Sequence, residues 1–338
     1  EREVTQIISA GTINDLNLLE AERPNYLAAI HRSGKRFGLA FVDLTTGDFR
    51  LTEFQDMEGL SDELARIRPS ELLVSDEQEE EIHIPGGAQV YDGYAFLQDQ
   101  AEFGLKEHLR VQSLDGFGCA GHSASICAAG AILHYLTTQM RQKIDHIRQL
   151  RPYETESHVL IDASSQINLE LTQSRAGSKH TLLHALDRTK TPTGARKLRD
   201  WVLHPIRDLA TLQARQTMIG GFMAESFLLS KVQESLGTVR DIERIMGRLS
   251  QGAGNPRDLQ TLGTSLRHIP HLREDLQALG DLELVARLSP RLRDFTELAD
   301  MLEQALVEEP PASTKDGGIF REGYSSALDE LRKGSTEG

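Results

Sequence analysis

The apolar positions of this chain change their period partway along. Up to about residue 115, short apolar runs alternate with amphipathic ones. Residues 26–30, 37–44 and 48–54 read as strands, and the near-continuous apolar run Phe37-Gly-Leu-Ala-Phe-Val-Asp-Leu44 suits a strand covered on both faces. Thr45-Thr46-Gly47-Asp48 is a turn signal, so the second and third strands are expected to form a hairpin. A helix follows over 57–66, with Leu60, Leu64 and Ile67 on one face; Pro69 interrupts it, and 71–75 is another short strand. The acidic run 76–81 reads as a solvated loop or helix end, and 98–109 as a helix burying Ala101, Leu105 and Leu109. Residues 1–115 are therefore expected to form a small α/β domain.

Gly116-Phe117-Gly118 punctuates the pattern. Ser123 is expected to cap a helix of small and apolar residues over 126–140, read as a link between domains within 116–150. Over 151–338 the period is helical, after a short extended piece, Val159-Leu-Ile161. Thr191-Pro192 opens a helix with Pro at its first position and Leu198, Trp201 and Val202 facing inward. Asp208 opens another, followed by Leu209, Leu212 and Ile219; Val239, Ile242, Ile245 or Met246, and Leu249 recur at helical spacing. Asn255-Pro256 starts a helix through Leu259, Leu262 and Leu266, Pro310-Pro311 breaks the chain, and a last helix over 324–332 is expected to be cut short by the C-terminus. No internal repeat is visible. The fold class is thus α/β followed by a mainly α-helical, incomplete domain.

Composition adds restrictions. Aromatic residues make up 5% of 338 positions, so Leu, Ile, Val and Ala must fill the cores. The net charge of −14 argues against a general nucleic-acid binder, since phosphate affinity rests on Lys and Arg. Residues 173–215 depart from this: nine Lys/Arg (Arg175, Lys179, Arg188, Lys190, Arg196, Lys197, Arg199, Arg207, Arg215) stand against Asp187, Asp200 and Asp208, a net +6. That stretch could touch phosphates, or pair with acids of neighbouring domains; the second is the reading preferred. Two cysteines, Cys119 and Cys127, read as cytosolic free thiols. No run of about 18 apolar residues is present to span a membrane.

Several segments together resemble the MutS family. Thr181-Leu-Leu-His-Ala-Leu-Asp-Arg-Thr-Lys-Thr-Pro-Thr-Gly-Ala-Arg-Lys-Leu-Arg-Asp-Trp201 resembles that family's core-domain signature, in which Leu183, Asp187, Arg188, Thr189, Pro192, Gly194, Arg196, Leu198 and Trp201 stand out. Val159-Leu-Ile-Asp-Ala-Ser-Ser-Gln-Ile-Asn-Leu-Glu-Leu171 is similar to the segment before it. Asp241-Ile-Glu-Arg-Ile-Met-Gly-Arg-Leu249, Asn255-Pro-Arg-Asp-Leu259 and Asp316-Gly-Gly-Ile-Phe-Arg-Glu-Gly-Tyr324 follow in the family's order. Phe41-Val-Asp-Leu-Thr-Thr-Gly-Asp-Phe49 and Gly116-Phe-Gly118 resemble its connector.

The resemblance implies a ribonuclease H-like connector over 1–115 and part of the helical core over 151–338. It further implies a mismatch-reading domain before residue 1 and a clamp, a returning lever helix and an ATPase after residue 338. It places the parent protein in the bacterial cytoplasm, associated with the nucleoid, as a dimer that binds mismatched duplex DNA, uses ATP and Mg, and recruits MutL. This stretch is expected to carry no catalytic group, cofactor or metal, to be monomeric by itself, and to relay signals. It has no Gly-x4-Gly-Lys-Ser/Thr phosphate loop: Gly34-Lys35 is followed by Arg36, and position 29 is Ala29. Phe295-Thr-Glu297 and Phe320-Arg-Glu322 match the family's Phe-x-Glu mismatch probe as strings, but they lie in the core segment and are not expected to read DNA.

The candidate chemistry is sparse. Leu182, Leu183 and Leu186 read as an apolar stripe, Asp187-Arg188-Thr189 as a polar helix end, and His204-Pro205 as the stop of a helix anchored by a buried Trp201; together they make a rigid corner. On the 98–109 helix, Glu102, Phe103, Lys106 and Glu107 form an outer face suited to docking a partner, MutL by resemblance. Asp43, at a strand end, would be the metal-holding carboxylate of a ribonuclease H-like nuclease, but Asp48, Glu53 and Glu71 lack the spacing a two-metal site needs, so a turn role is expected. Cys119, His122 and Cys127 supply three of the four ligands of structural zinc. The alternatives kept are such a nuclease and a MutS paralogue acting in recombination.

Overall fold

A computed structural model describes residues 7–82, 84 and 87–336. Strands β1 (Tyr26–Ser33), β2 (Arg36–Asp43) and β3 (Asp48–Phe54) form an antiparallel meander. The β2–β3 turn is the expected one, with Gly47 at φ 75°, a left-handed conformation that glycine adopts without a Cβ penalty. Helix α1 (Met57–Ile67) starts at Asp56, whose carboxylate accepts the Gly59 N–H at 2.9 Å, and it buries Leu60, Leu64 and Ile67. Strand β4 (Glu71–Ser75) runs parallel to β1, and β5 (Gln89–Tyr91) parallel to β4.

Helices α2 (Gln98–Leu109) and α3 (Ser123–His134) follow, then β6 (Arg151–Pro152), parallel to β3 on the far edge. The six-stranded sheet has the order β5-β4-β1-β2-β3-β6, a meander extended by parallel strands on the β1 side, as in a ribonuclease H-like sheet. Alternation along the strands loads both faces. Ala28, Ile30, Leu39 and Phe41 pack with Leu60 and Leu64 of α1; Leu27, Ala29, Val42 and Leu51 pack with Leu105 of α2 and Ile132 of α3.

Helix α3 is not the expected link between domains. Every residue from Ala124 to Leu133 is buried, and the chain after it adds Ile144, Ile147 and Leu150 to the same core. A helix that is apolar all round is a core helix. Its small residues allow backbone-to-backbone packing: a Cβ on Gly130 would lie 2.3 Å from the Ala101 Cα, and one on Gly38 of β2 would lie 2.1 Å from the Ala124 carbonyl carbon. Nor does Ser123 cap it. The N-cap is His122, without a side-chain cap bond; Glu53 of β3 instead accepts the N–H groups of Ala124 (2.8 Å) and Ser125 (3.2 Å). A carboxylate at a helix N-terminus satisfies orphan donors and meets the positive end of the dipole.

The same compact unit continues through α4 (Ala163–Asn168), α5 (Leu182–Leu186) and α6 (Pro192–Leu203) to Asp208. The second unit is built of helices: α7 (Leu209–Ala224), α8 (Ser226–Thr238), the start of α9 (Ile242–Gln251), α10 (Pro256–Arg267), α11 (Ile269–Gln277), α12 (Glu283–Leu288), α13 (Thr296–Ala305) and α14 (Ser326–Thr336). Residues Met246–Gly252, the rest of α9 and the glycine after it, belong to the first unit, where Gln251 donates to the Leu44 carbonyl at 3.1 Å. The helix start expected at Asn255-Pro256 is that of α10, and the structure adds a reciprocal capping box with Asp258. The core of the second unit includes Val232, Leu262, Leu266, Leu272 and Leu302, while α7 buries nothing.

Candidate functional site

The signature segment folds as a corner. Thr181 caps α5 by accepting the His184 N–H at 3.1 Å, and Thr191 caps α6 by accepting the Gly194 N–H at 3.0 Å, with Pro192 at the first helical position. Between them the Asp187 carboxylate accepts from the Thr189 N–H (2.8 Å) and hydroxyl (2.7 Å), and Arg188 donates to the Asp187 carbonyl. Arg196 donates to the Ala21 carbonyl at 2.9 Å. The apolar side of the corner differs from expectation. Ala195 and Leu203 are the buried residues of α6, Leu183, Leu198 and Val202 are half-buried, and Leu182 and Leu186 are exposed. Trp201 is not a buried anchor: it is 40% exposed, with the Lys197 ammonium 6.0 Å from its ring centre. A cation over an indole face stabilises a ring that stays in water.

What holds α6 to the sheet is a chain of charges. Asp200 pairs with Lys197 (2.8 Å), His204 Nδ1 (3.1 Å) and Arg50 of β3 (3.5 Å), and Arg50 pairs with Asp48 (2.8 Å). His204 Nε2 lies 3.5 Å from Glu63 of α1, which accepts the Tyr153 hydroxyl at 2.7 Å. Glu63 also forms an ion pair with Arg66 at 2.7 Å, with both side chains 1% exposed; neither end of that contact is aligned as a hydrogen bond. Three elements, β3, α1 and α6, are thus tied through charged side chains that range from partly exposed (Arg50, Asp200) to fully buried (Glu63, Arg66).

The electrostatics follow from this geometry. Burial works against the charge of Asp200, but His204, Arg50 and Lys197 outweigh it and hold the carboxyl well below the usual carboxylate range. Glu63 is likewise lowered, burial being overcome by His204 and Arg66. Burial also disfavours protonated His204, yet hydrogen bonds to Asp200 and Glu63 raise its pKa above 6.5. A group whose pKa is raised on folding stabilises the fold fully below its unfolded value and loses that contribution as pH rises through the folded value. Melting temperatures of wild type and His204→Gln should therefore differ most below about pH 6.5, and the gap should shrink as the pH rises through the raised folded value. A gap of constant size would show that His204 acts without its proton.

The outer face of α2 carries the four residues weighed for docking. Phe103 is 64% exposed and Glu107 is exposed, while half-buried Glu102 and Lys106 pair at 2.8 Å, with Gln98 donating to Glu102 at 3.0 Å. The carboxylates weighed for metal chemistry each serve the fold. Asp43 is buried and accepts from the Thr45 N–H (2.9 Å) and hydroxyl (2.6 Å) and the Asn25 N–H (3.1 Å). Glu53 caps α3, Asp48 pairs with Arg50, and Glu71 accepts from Ser9, the Gly11 N–H and the Tyr135 hydroxyl. Among the described residues no group of three His, Cys, Asp or Glu side chains converges as for a metal. Both cysteines are buried, which pushes their thiols up to about 11. Of the two Phe-x-Glu strings, Phe295 sits at the N-cap of α13 and Phe320 stacks on Tyr324 at 6.0 Å.

Comparison with known proteins connects this geometry to a family. Residues 25–148 match the family model for MutS domain II, and residues 164–334 that for MutS domain III. The DNA mismatch repair protein MutS of Syntrophobacter fumaroxidans is 39% identical over 345 positions, covering 98% of this chain. That of Halothermothrix orenii is 34% identical over 346 positions, covering 100% of it. The chain spans 38% of the length of each of these relatives. In these terms the charge chain runs from β3 and α1, in the domain II segment, to α6, in the domain III segment.

Proposed function

The chain belongs to the MutS family of DNA mismatch repair proteins, and on that premise we propose that it serves as the rigid coupling piece of a mismatch repair protein, relaying signals between DNA-bound and ATP-using parts of the parent and offering a docking face to MutL. The observation that carries this reading is the charge chain Arg50–Asp200–His204–Glu63–Arg66. A relay needs elements that move as one body rather than soft connections, and the pairs Arg50–Asp200 and His204–Glu63, anchored on the buried Glu63–Arg66 pair of α1, tie β3, α1 and α6 together. The parent binds mismatched duplex DNA and hydrolyses ATP with Mg as a cytoplasmic, nucleoid-associated dimer, with those sites outside the segments matched here. Glu102, Phe103, Lys106 and Glu107 form the MutL face. An exposed aromatic ring flanked by charges offers apolar area that a partner can desolvate.

The test is a titration of the chain with MutL, followed by light scattering. Phe103→Ala should leave folding stability within about 0.5 kcal/mol, because the ring is exposed, while weakening MutL binding about tenfold or more. The free chain should scatter as a 37.6 kDa monomer. Equal binding by wild type and variant would remove the docking face from this account and leave the coupling role.

A further inference from the structure

The first unit contains a cavity of about 670 Å³ whose wall includes Arg23, Arg199, His184 and Ser178, a size typical of small-molecule sites. Arg199, on α6, is half-buried and makes no hydrogen bond or ion pair among the described residues. Its guanidinium is pushed down to about 10 by burial and by the like charges of Arg23 and Arg68. Three carboxylates share the wall: exposed Glu20 pairs with Arg23 at 3.2 Å, Asp187 holds its turn through Thr189, and Glu22 is exposed, which leaves Arg199 as the guanidinium without a partner among the described residues. Arg23 is already paired with Glu20, but Arg199 is not, and an anion with several oxygens would supply its missing partner. Guanidinium forks match phosphate oxygens in geometry as well as charge.

We propose that this cavity binds a small phosphate-bearing anion, with Arg199 as its anchor and Arg23 beside it. The site is separate from the charge chain, on which the coupling role rests, and extends the account beyond that role. Its volume of about 670 Å³ suits a small ligand. Pyrophosphate titrated into the 338-residue chain at low salt, followed by calorimetry, should show saturable binding. Arg199→Gln and Arg23→Gln should each weaken it at least about tenfold, and Lys190→Gln, which removes an equal charge at an exposed position outside the cavity, should not. Arg199→Lys, which keeps the charge but loses the fork, should also bind more weakly than wild type. The proposal is overturned if wild type shows no saturable binding. It is equally overturned if all three Gln variants weaken binding alike, or if a short DNA duplex displaces the pyrophosphate.

Discussion

Gly38→Ala is expected to destabilise the first unit by at least about 3 kcal/mol, a fall on the order of 10 °C in melting temperature. The added Cβ would lie 2.1 Å from the carbonyl carbon of Ala124 and 2.2 Å from the nitrogen of Ser125. These are backbone atoms, so no side chain can turn aside to make room. Relief requires α3 to lift from β2, which opens the core around Val42, Leu51 and Ile132 and pulls the Ala124 and Ser125 N–H groups away from Glu53. Gly104→Ala is the natural control. That glycine lies in α2 with nothing within 4 Å of the new Cβ, so the substitution should stabilise by up to about 1 kcal/mol through helix propensity. Thermal melts of the two variants should move in opposite directions; similar small shifts would mean that α3 does not press against the sheet.

Glu63→Leu should cost about 3–5 kcal/mol, the usual consequence of leaving one charge of a buried pair behind. Arg66, 1% exposed, would lose its partner at 2.7 Å, His204 would lose one of its two carboxylates, and the Tyr153 hydroxyl its acceptor. Glu63→Leu combined with Arg66→Leu should recover most of that loss, because an apolar pair avoids the desolvation that the ion pair must offset. Denaturant melts of both single variants and the double variant give the coupling energy directly. Near-additive losses would mean that Glu63 and Arg66 act separately.

Much of the first unit is legible in its sequence, because strands covered on both faces and hairpin turns leave local marks. Asp48–Phe54 and Glu71–Ser75 fall where the apolar runs and turn residues put them, and Thr191-Pro192 marks the start of α6. The failures have physical causes. Gln89–Tyr91 is three residues long, too short for a period. The Gly116-Phe117-Gly118 punctuation before α3 reads as a link between domains, although uniform apolarity is itself the mark of a buried helix. The large ring of Trp201 reads as a buried anchor, but Lys197, one turn before it, gives the ring a stable place at the surface. The charge chain leaves no local mark at all. Asp48, Glu63, Tyr153 and Asp200 are brought together only by the fold, and each alone reads as a solvated or capping residue. The unpaired state of Arg199, within a stretch that is simply basic in sequence, is likewise a property of the packed structure.

Native-state hydrogen exchange tests the coupling most directly, because it reports whether α6 opens with the sheet or apart from it. The account predicts that amides of α6 (Pro192–Leu203) and β3 (Asp48–Phe54) exchange with matching opening free energies, and that Glu63→Leu lowers both together. Loss of protection confined to α6, with β3 unchanged, would contradict it and would make the signature helix a loosely held neighbour of the sheet.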